Sequence, residues 1–196
     1  MQGKDALIVV DVQNDFCPGG ALAVERADEI IPVLNRYIAR FAAAGLPILV
    51  TRDWHPRKTS HFKTYGGVWP VHCVQDTSGA EFHRDLKLSP DMIVVSKGSA
   101  ADEDSYSAFQ AKDGAGVPLV DLLRRLDVAR IFVGGLATDY CVKYTALDGL
   151  RAGYTVVVLT DAIRGVNLQP DDSESALTEM RAAGAMSLST VDALAI

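Results

Sequence analysis

Cys141 is the residue of this chain whose surroundings point most directly to chemistry. It follows an apolar run that begins at Ile131 and ends in a glycine pair, which is typical of a buried strand and its exit turn. Thr138 or Asp139 is placed to cap the helix that starts there. Cys141 then falls in the first turn, where unpaired backbone N–H groups and the helix dipole favour a nucleophilic thiolate. The alternative interpretation is a buried structural cysteine.

Two further polar residues, Asp11 and Lys97, each follow a predicted strand, as Cys141 does. The three residue types suit acyl transfer, in which the Cys141 thiolate attacks a carbonyl carbon. Asp11 would take the thiol proton and pass it to the leaving amine, while Lys97 would stabilise the negative charges. Backbone N–H groups at the start of the helix would hold the tetrahedral oxyanion. Taken singly, Asp11 is typical of a turn and Lys97 of a solvated side chain, so their joint placement carries the hypothesis.

The loop after the second predicted strand concentrates potential metal ligands. Three of the four histidines, His55, His61 and His72, lie there, and Asp53 precedes His55 by two positions. An Asp/His/His set suits Zn²⁺, Fe²⁺ or Mn²⁺ and leaves coordination positions open. Because no short fixed ligand motif is present, the spacing alone also allows ordinary loop histidines.

Three aromatic residues accompany these segments: Phe16, Trp69 and Tyr106. Aromatic side chains at the edge of a sheet form walls for a flat ring. The alternative is that each simply covers the sheet edge.

Alternating apolar runs and helical patterns indicate the elements that position these residues. Buried strands are predicted over 6–10, 46–50, 92–95, 131–135, 154–159 and 185–188, and helices over 27–44, 118–126, 138–152 and 171–183. This alternation predicts a three-layer α/β/α fold with a mainly parallel six-stranded sheet. Since ligands of such sheets bind beyond the carboxyl ends of the strands, all the candidate residues should meet at one edge.

Composition narrows the class of protein. The 196 residues are 48% hydrophobic and 22% charged, which predicts one globular domain over residues 1–196. A net charge of −6 without a basic cluster argues against nucleic acid as a partner. No apolar run approaches the roughly 20 residues that span a bilayer, so no membrane partner is expected. Three cysteines without a secretory signal favour free thiols in a cytoplasmic protein.

Five segments resemble, in order, the motifs of nicotinamidases (also called pyrazinamidases), which belong to the isochorismatase-like cysteine hydrolases. They are 11–24 (DVQNDFCPGGALAV), 53–56 (DWHP), 69–73 (WPVHC), 96–98 (SKG) and 135–142 (GLATDYCV). The resemblance covers most of the chain, from residue 6 to about residue 184. It implies hydrolysis of nicotinamide to nicotinate and ammonia through a Cys141 thioester, as a step of NAD salvage, with pyrazinamide as a second substrate.

The resemblance also assigns roles to individual residues. It implies a catalytic triad of Asp11, Lys97 and Cys141, and an oxyanion hole from the N–H groups of Ala137 and Cys141, after a cis peptide bond at Leu136–Ala137. It implies one divalent metal ion, with zinc favoured over iron or manganese, beside the substrate and bound to its ring nitrogen. The metal ligands it implies are Asp53, His55 and His72, with His61 as a fourth in some members. The ring contacts it implies are Phe16, Trp69 and Tyr106.

Other functions remain open from the sequence. The nearest is another small-molecule amidase of the same superfamily, whereas an isochorismatase lacks the triad cysteine. A non-catalytic binding protein would not need the intact triad, and a zinc hydrolase that uses metal-bound hydroxide would not need Cys141. Members of the family adopt several oligomeric states, so a homo-oligomer is compatible with the resemblance.

Overall fold

A computed structural model, which describes residues 3–103 and 106–194, has a central sheet flanked by helices. Its strands are β1 (Lys4–Val10), β2 (Ile48–Asp53), β3 (Ile93–Lys97), β4 (Lys112–Asp113), β5 (Val128–Leu136), β6 (Thr155–Arg164) and β7 (Met186–Leu188). Its α-helices are α1 (Ile30–Ala43), α2 (Leu119–Arg125), α3 (Lys143–Arg151) and α4 (Asp172–Ala182). A five-residue π-helical turn, Thr138–Val142, leads into α3.

The strand order is β4-β3-β2-β1-β5-β6-β7, and every neighbouring pair is parallel except β3 and β4. The predicted α/β class and mainly parallel sheet are therefore confirmed. The predicted count of six strands is wrong, because the described sheet has seven. The strand missed by the sequence analysis is β4, whose two residues, Lys112 and Asp113, form a short antiparallel edge. Two polar residues leave no apolar run that would mark a strand.

Hydrophobic residues cover both faces of the sheet, which explains why its strands are continuous apolar runs. In β1, Leu7 and Val9 belong to the core shared with α1, whereas Ala6, Ile8 and Val10 belong to the core shared with the other three helices. These two cores give the three layers. Within the described ranges, no helix is both long enough and apolar enough to cross a bilayer.

The helix α1 shows how closely the apolar spacing predicts an element. Its buried residues include Ile30, Leu34, Ile38 and Phe41, which repeat at the helical interval. A short 3-10 turn over Ala27–Glu29 replaces the first predicted turn of the helix. The other predicted helices differ at their ends by a residue or two, apart from the π-helical turn before α3.

Candidate active site

The polar residues at the ends of four adjacent strands meet at one edge of the sheet. Lys97 ends β3 and is paired in register with Asp53, which ends β2. Asp11 directly follows β1, and Cys141 lies in the π-helical turn that follows β5. Since these strands are neighbours in the order β3-β2-β1-β5, their ends carry the four side chains to the same place.

The Lys97 ammonium lies at the centre of this group. Its Nζ atom is 2.8 Å from Asp11 Oδ2 and 3.5 Å from Cys141 Sγ, and it also contacts Asp53 Oδ1. The Thr51 hydroxyl donates to Asp11 Oδ1 at 2.5 Å. All of these residues are buried. The structure therefore brings together the acid, the cation and the thiol that the sequence analysis selected.

Burial sets the protonation of this group. It raises the pKa of the Asp11 carboxyl against the opposing effect of Lys97, which makes Asp11 a stronger base than an ordinary aspartate. Burial also raises the pKa of the Cys141 thiol, and Lys97 opposes that shift while Asp11 adds to it. For Lys97, burial alone would lower the pKa, but the carboxylates of Asp11 and Asp53 raise it well above its ordinary value. The ammonium thus stays charged.

The thiol differs from the sequence-based expectation of a thiolate favoured by the helix start. Its pKa is raised because desolvation in the buried site disfavours the anion. The cap expected from Thr138 or Asp139 is also wrong, because Ala137 occupies the N-cap position and makes no side-chain cap bond. A protonated Cys141 next to the Asp11 carboxylate requires proton transfer to that base before it can attack.

Asp139 instead connects the π-helical turn Thr138–Val142, the nucleophile turn, to the loop after β6. Its carboxylate accepts hydrogen bonds from the backbone N–H of Val166 at 2.9 Å and of Asn167 at 2.7 Å. Asp139 is buried, and Val166 lines the same pocket as Cys141. The side chain therefore joins two segments of the pocket wall.

The chain between β5 and the nucleophile turn passes very close to β1. At Gly135, φ is +125°, and a Cβ atom there would lie 2.1 Å from the carbonyl oxygen of Val10. Only glycine is compatible with that contact and that backbone conformation. The predicted cis peptide bond at Leu136–Ala137 is present. Ala137 and Cys141, the residues of the predicted oxyanion hole, both line the pocket.

A pocket opens above the thiol and has aromatic walls. The indole Nε1 of Trp69 donates to the hydroxyl of Tyr106 at 2.9 Å. Tyr140 packs edge-on against Trp69, with ring centroids 4.9 Å apart. The three predicted ring contacts all lie in the lining, which comprises Phe16, Leu22, Asp53, His61, Trp69, His72, Tyr106, Leu136, Ala137, Tyr140, Cys141 and Val166.

The three histidines of the loop after β2 converge beside this pocket. Each of His55, His61 and His72 is buried, and each offers a ring nitrogen within 4.8 Å of those of the other two. His55 Nδ1 lies 3.1 Å from the Gly98 carbonyl oxygen, and His72 Nδ1 lies 2.8 Å from that of Pro70. These contacts leave the Nε2 atoms of both rings to face the cluster. Carbonyl contacts of this kind orient metal-binding imidazoles.

Two further observations fit a divalent ion in this cluster. His55 Nε2 is buried and has no hydrogen-bond partner in the described part of the chain. Burial lowers the pKa of His72 to about 4, so that its imidazole is neutral at neutral pH, as metal binding requires. The donor set of imidazole nitrogens and a carboxylate therefore supports a divalent metal site.

Asp53 joins the histidine cluster to the group around Lys97. One carboxylate oxygen contacts Lys97, and the other lies 3.7 Å from His55 Nε2 and 3.9 Å from His72 Nε2. Burial alone would raise the pKa of Asp53, but Lys97 and His55 hold it below its usual range. The residue is therefore an anion that both groups share.

Comparison with known proteins identifies the family to which this chain belongs. The isochorismatase domain pattern matches residues 5–192. The chain belongs to the isochorismatase family. As an isochorismatase-family protein it resembles a nicotinamidase of Escherichia coli strain K12, with 44% identity in an alignment 196 positions long and coverage of 92% of each chain.

Solved structures with the isochorismatase-family fold extend this likeness. One is a pyrazinamidase of Pyrococcus horikoshii in complex with zinc, with 45% identity, a TM-score of 0.88, and coverage of 94% of this chain and 98% of that one. Another is PnC1 from L. infantum in complex with nicotinate, with 34% identity, a TM-score of 0.86, and coverage of 100% and 96%.

Several residues that line this isochorismatase-family pocket were not identified from the sequence. Leu22, Tyr140 and Val166 were not selected as lining residues, although all three lie in the wall. Tyr140 had a local signal, since it directly precedes the candidate nucleophile. Leu22 lies within the 11–24 motif, so it also had a local signal. Val166 lies in the loop after β6, and nothing in its local sequence distinguishes it from an ordinary loop residue.

Proposed function

We propose that this protein hydrolyses nicotinamide to nicotinate and ammonia, and that it also accepts pyrazinamide. It is an amidohydrolase that acts on a carboxamide. The observation that carries the proposal is the buried Lys97 ammonium, which lies within 3.5 Å of both the Asp11 carboxylate and the Cys141 sulfur at the base of an aromatic pocket. The resemblance to nicotinamidases and a pyrazinamidase over nearly the whole chain supports the substrate.

The first half of the reaction forms a thioester. Asp11 takes the proton of the Cys141 thiol, and the sulfur attacks the carboxamide carbon. The backbone N–H groups of Ala137 and Cys141 stabilise the oxyanion of the tetrahedral intermediate. Asp11 then gives its proton to the amide nitrogen, the C–N bond breaks, and ammonia leaves.

The second half returns the enzyme to its starting state. Asp11, again a carboxylate, takes a proton from a water molecule that attacks the thioester carbon. When the tetrahedral intermediate collapses, the C–S bond breaks and nicotinic acid forms. Asp11 returns its proton to the Cys141 sulfur, and the product acid loses its own proton to solvent to give nicotinate. Lys97 remains an ammonium throughout and offsets the negative charge that moves between Asp11 and Cys141.

The residues proposed to hold a divalent ion are Asp53, His55, His61 and His72, with zinc as the proposed metal. A zinc-containing pyrazinamidase structure favours zinc, and the imidazole nitrogens favour zinc or iron over manganese. When bound, the ion would supply a Lewis-acid contact for the pyridine nitrogen of the substrate. Phe16 and Trp69 would then stack on the pyridine ring, and Tyr106 would complete the wall of the pocket.

We further propose that the chain acts as one domain over residues 1–196 in the cytoplasm. The family pattern extends over 5–192, which supports one domain. The described cysteines, Cys17, Cys73 and Cys141, are all free thiols, and a reducing compartment keeps a catalytic thiol active. Assembly into a homo-oligomer stays a prediction.

Ammonia release from nicotinamide tests this function. Wild type should release ammonia and nicotinate in equal amounts, and Cys141→Ala should lower kcat by about 10⁴-fold or more. Cys17→Ala is the matched control, because it removes a buried thiol that does not line the pocket. Release of ammonia at the wild-type rate by Cys141→Ala would contradict the mechanism.

A substrate panel separates the second candidate, an amidase for another small amide. That candidate rests on the same thiol and base, so it differs only in the pocket that receives the amide. A kcat/KM for an aliphatic amide above that for nicotinamide and pyrazinamide would favour it. The aromatic walls predict the opposite order.

A further inference from the structure

The main chain of β1 leaves the sheet before it reaches the position opposite Asp53 of β2. Strand β1 is paired with β2 up to Val9 and Val50, and the Asp11 N–H still donates to the Thr51 carbonyl oxygen at 3.2 Å. At Asp11 the backbone turns with φ at +50°, in the left-handed region. The main chain of β1 therefore ends short of the position opposite Asp53.

The side chain of Gln13 takes the place of that missing strand. Its Oε1 atom accepts from the Asp53 N–H at 2.8 Å, and its Nε2 atom donates to the Asp53 carbonyl oxygen at 2.8 Å. The same Nε2 atom donates to the Ala80 carbonyl oxygen at 2.9 Å. Because a primary amide offers the same donor and acceptor as a peptide group, Gln13 pairs with both main-chain groups of one residue. The side chain is fully buried.

From this pairing we infer that Gln13 is a positioning residue for the shared carboxylate of Asp53. The inference rests on the proposed function. On its other side, Asp53 is paired with Lys97 within the sheet. The two pairings fix the main chain of Asp53 from both directions. One of its carboxylate oxygens then reaches Lys97 and the other reaches the histidines.

A change at Gln13 should consequently disturb two sites at once. Movement of Asp53 withdraws a ligand from the histidine cluster and a counter-charge from Lys97. A residue that only held the loops together would lower the thermal stability without changing metal binding and turnover together. Neighbouring Asn14 has that structural role, because its Nδ2 atom donates to the Ser78 carbonyl oxygen at 2.7 Å.

The experiment compares three variants with wild type. Gln13→Met keeps the length of the side chain and removes its hydrogen bonds. Gln13→Glu keeps an acceptor for the Asp53 N–H but has no N–H group to donate to the Asp53 and Ala80 carbonyl oxygens. Asn14→Ala is the matched control, since it removes a hydrogen bond from the same loop to Ser78 and leaves the hydrogen bonds of Asp53 unchanged. Zinc affinity is measured by competition with a chromophoric chelator, and kcat and KM for nicotinamide are measured at saturating zinc.

We expect Gln13→Met to weaken zinc binding by about 10- to 100-fold and to lower kcat by a similar factor. KM at saturating zinc should stay within about threefold, because the aromatic walls are unchanged. Gln13→Glu should show losses of the same kind, and it decides the question if Gln13→Met does not fold. Asn14→Ala should keep both quantities within about twofold while its melting temperature falls.

Two results would overturn the inference. One is zinc affinity and kcat within twofold of wild type for the Gln13 variants. The other is an equal loss in Asn14→Ala, which would make both residues structural. Failure of the proposed function is separate, because it appears as absence of ammonia release by wild type. In that case the zinc affinities of the same variants still test the role of Gln13.

Discussion

The group around Lys97 and the histidine cluster meet at Asp53 but are built in different ways. Asp11, Lys97 and Cys141 come from the ends of three different strands, far apart in the sequence. The histidines come from one loop, 55–72, that follows a single strand. The first group depends on the order of the strands, whereas the second depends on how one loop is held.

The contacts of the two groups reflect this difference. Strand pairing places Asp53 beside Lys97, and the Gln13 side chain holds the main chain of Asp53 from the other side. The histidine loop is held by separate bonds, from the His55 N–H to the Cys73 carbonyl oxygen at 2.9 Å and from the Cys73 N–H to the Asp15 carboxylate at 2.7 Å. Chemistry in the first group and metal binding in the second should therefore be separable by substitution.

Asp11→Asn should have the largest effect on turnover and leave the metal in place. Loss of the base should lower kcat by about 10²- to 10⁴-fold. Alkylation of Cys141 should change in the opposite direction. Burial is the main cause of the raised pKa of this thiol, and the Asp11 carboxylate adds to it against Lys97. Removal of that charge should therefore lower the pKa and increase the thiolate fraction at pH 7. Iodoacetamide labelling followed by mass spectrometry measures the rate.

Cys17 provides the internal control for this labelling. Burial and the charge of Asp28 raise its pKa to about 11, and Asp11 is not among the groups that shift it. Its labelling rate should therefore be the same in wild type and Asp11→Asn. Slower labelling of Cys141 in the variant than in wild type would contradict the assigned electrostatics, and loss of zinc would show that the two groups are not separable.

Metal removal tests whether the group around Lys97 is independent of the histidine cluster. Treatment with a chelator should lower kcat/KM for nicotinamide by about 10- to 100-fold, and added zinc should restore it. Cys141 should still be labelled, because Asp11 and Lys97 do not depend on the histidine loop for their position. Loss of Cys141 labelling on chelation would show that the metal also organises the triad.

Asp139→Asn should have a smaller effect, confined to the nucleophile turn. An amide has one acceptor oxygen for the two N–H groups of Val166 and Asn167, and a buried unsatisfied donor costs about 1–3 kcal/mol. We expect a lower melting temperature and a fall in kcat of roughly tenfold. Zinc affinity should not change. Asp172→Asn is the control, because its carboxylate accepts from the exposed Gln169 N–H outside the pocket.

The smallest effect is expected at the hydrogen bond between Trp69 and Tyr106. Trp69→Phe and Tyr106→Phe each remove it, so each should raise KM by about two- to fivefold, in line with a net value of about 0.5–1 kcal/mol for one hydrogen bond. Steady-state kinetics of both variants and of the double variant measure the coupling. Fully additive effects would mean that the bond contributes nothing to substrate binding.

Local sequence patterns predicted most of the fold, because buried strands and amphipathic helices leave a periodic apolar signal. They placed Lys97 and Asp11 at strand ends correctly. They missed β4, since Lys112 and Asp113 carry no apolar signal. They also assigned Asp139 to a local cap, although its partners lie 27 and 28 positions away in the chain.

The sequence by itself determined the α/β class, the identity of the reactive side chains and the family. Those properties depend on residue types and short spacings, which are present in the unfolded chain as well. Tertiary structure alone decided the protonation of Cys141, because burial raises the pKa of the thiol and outweighs the opposing effect of Lys97. It also decided that Asp53 serves two groups and that Gln13 completes the sheet beside it. Both depend on how strands and loops that are distant in the sequence pack together, which no local pattern encodes.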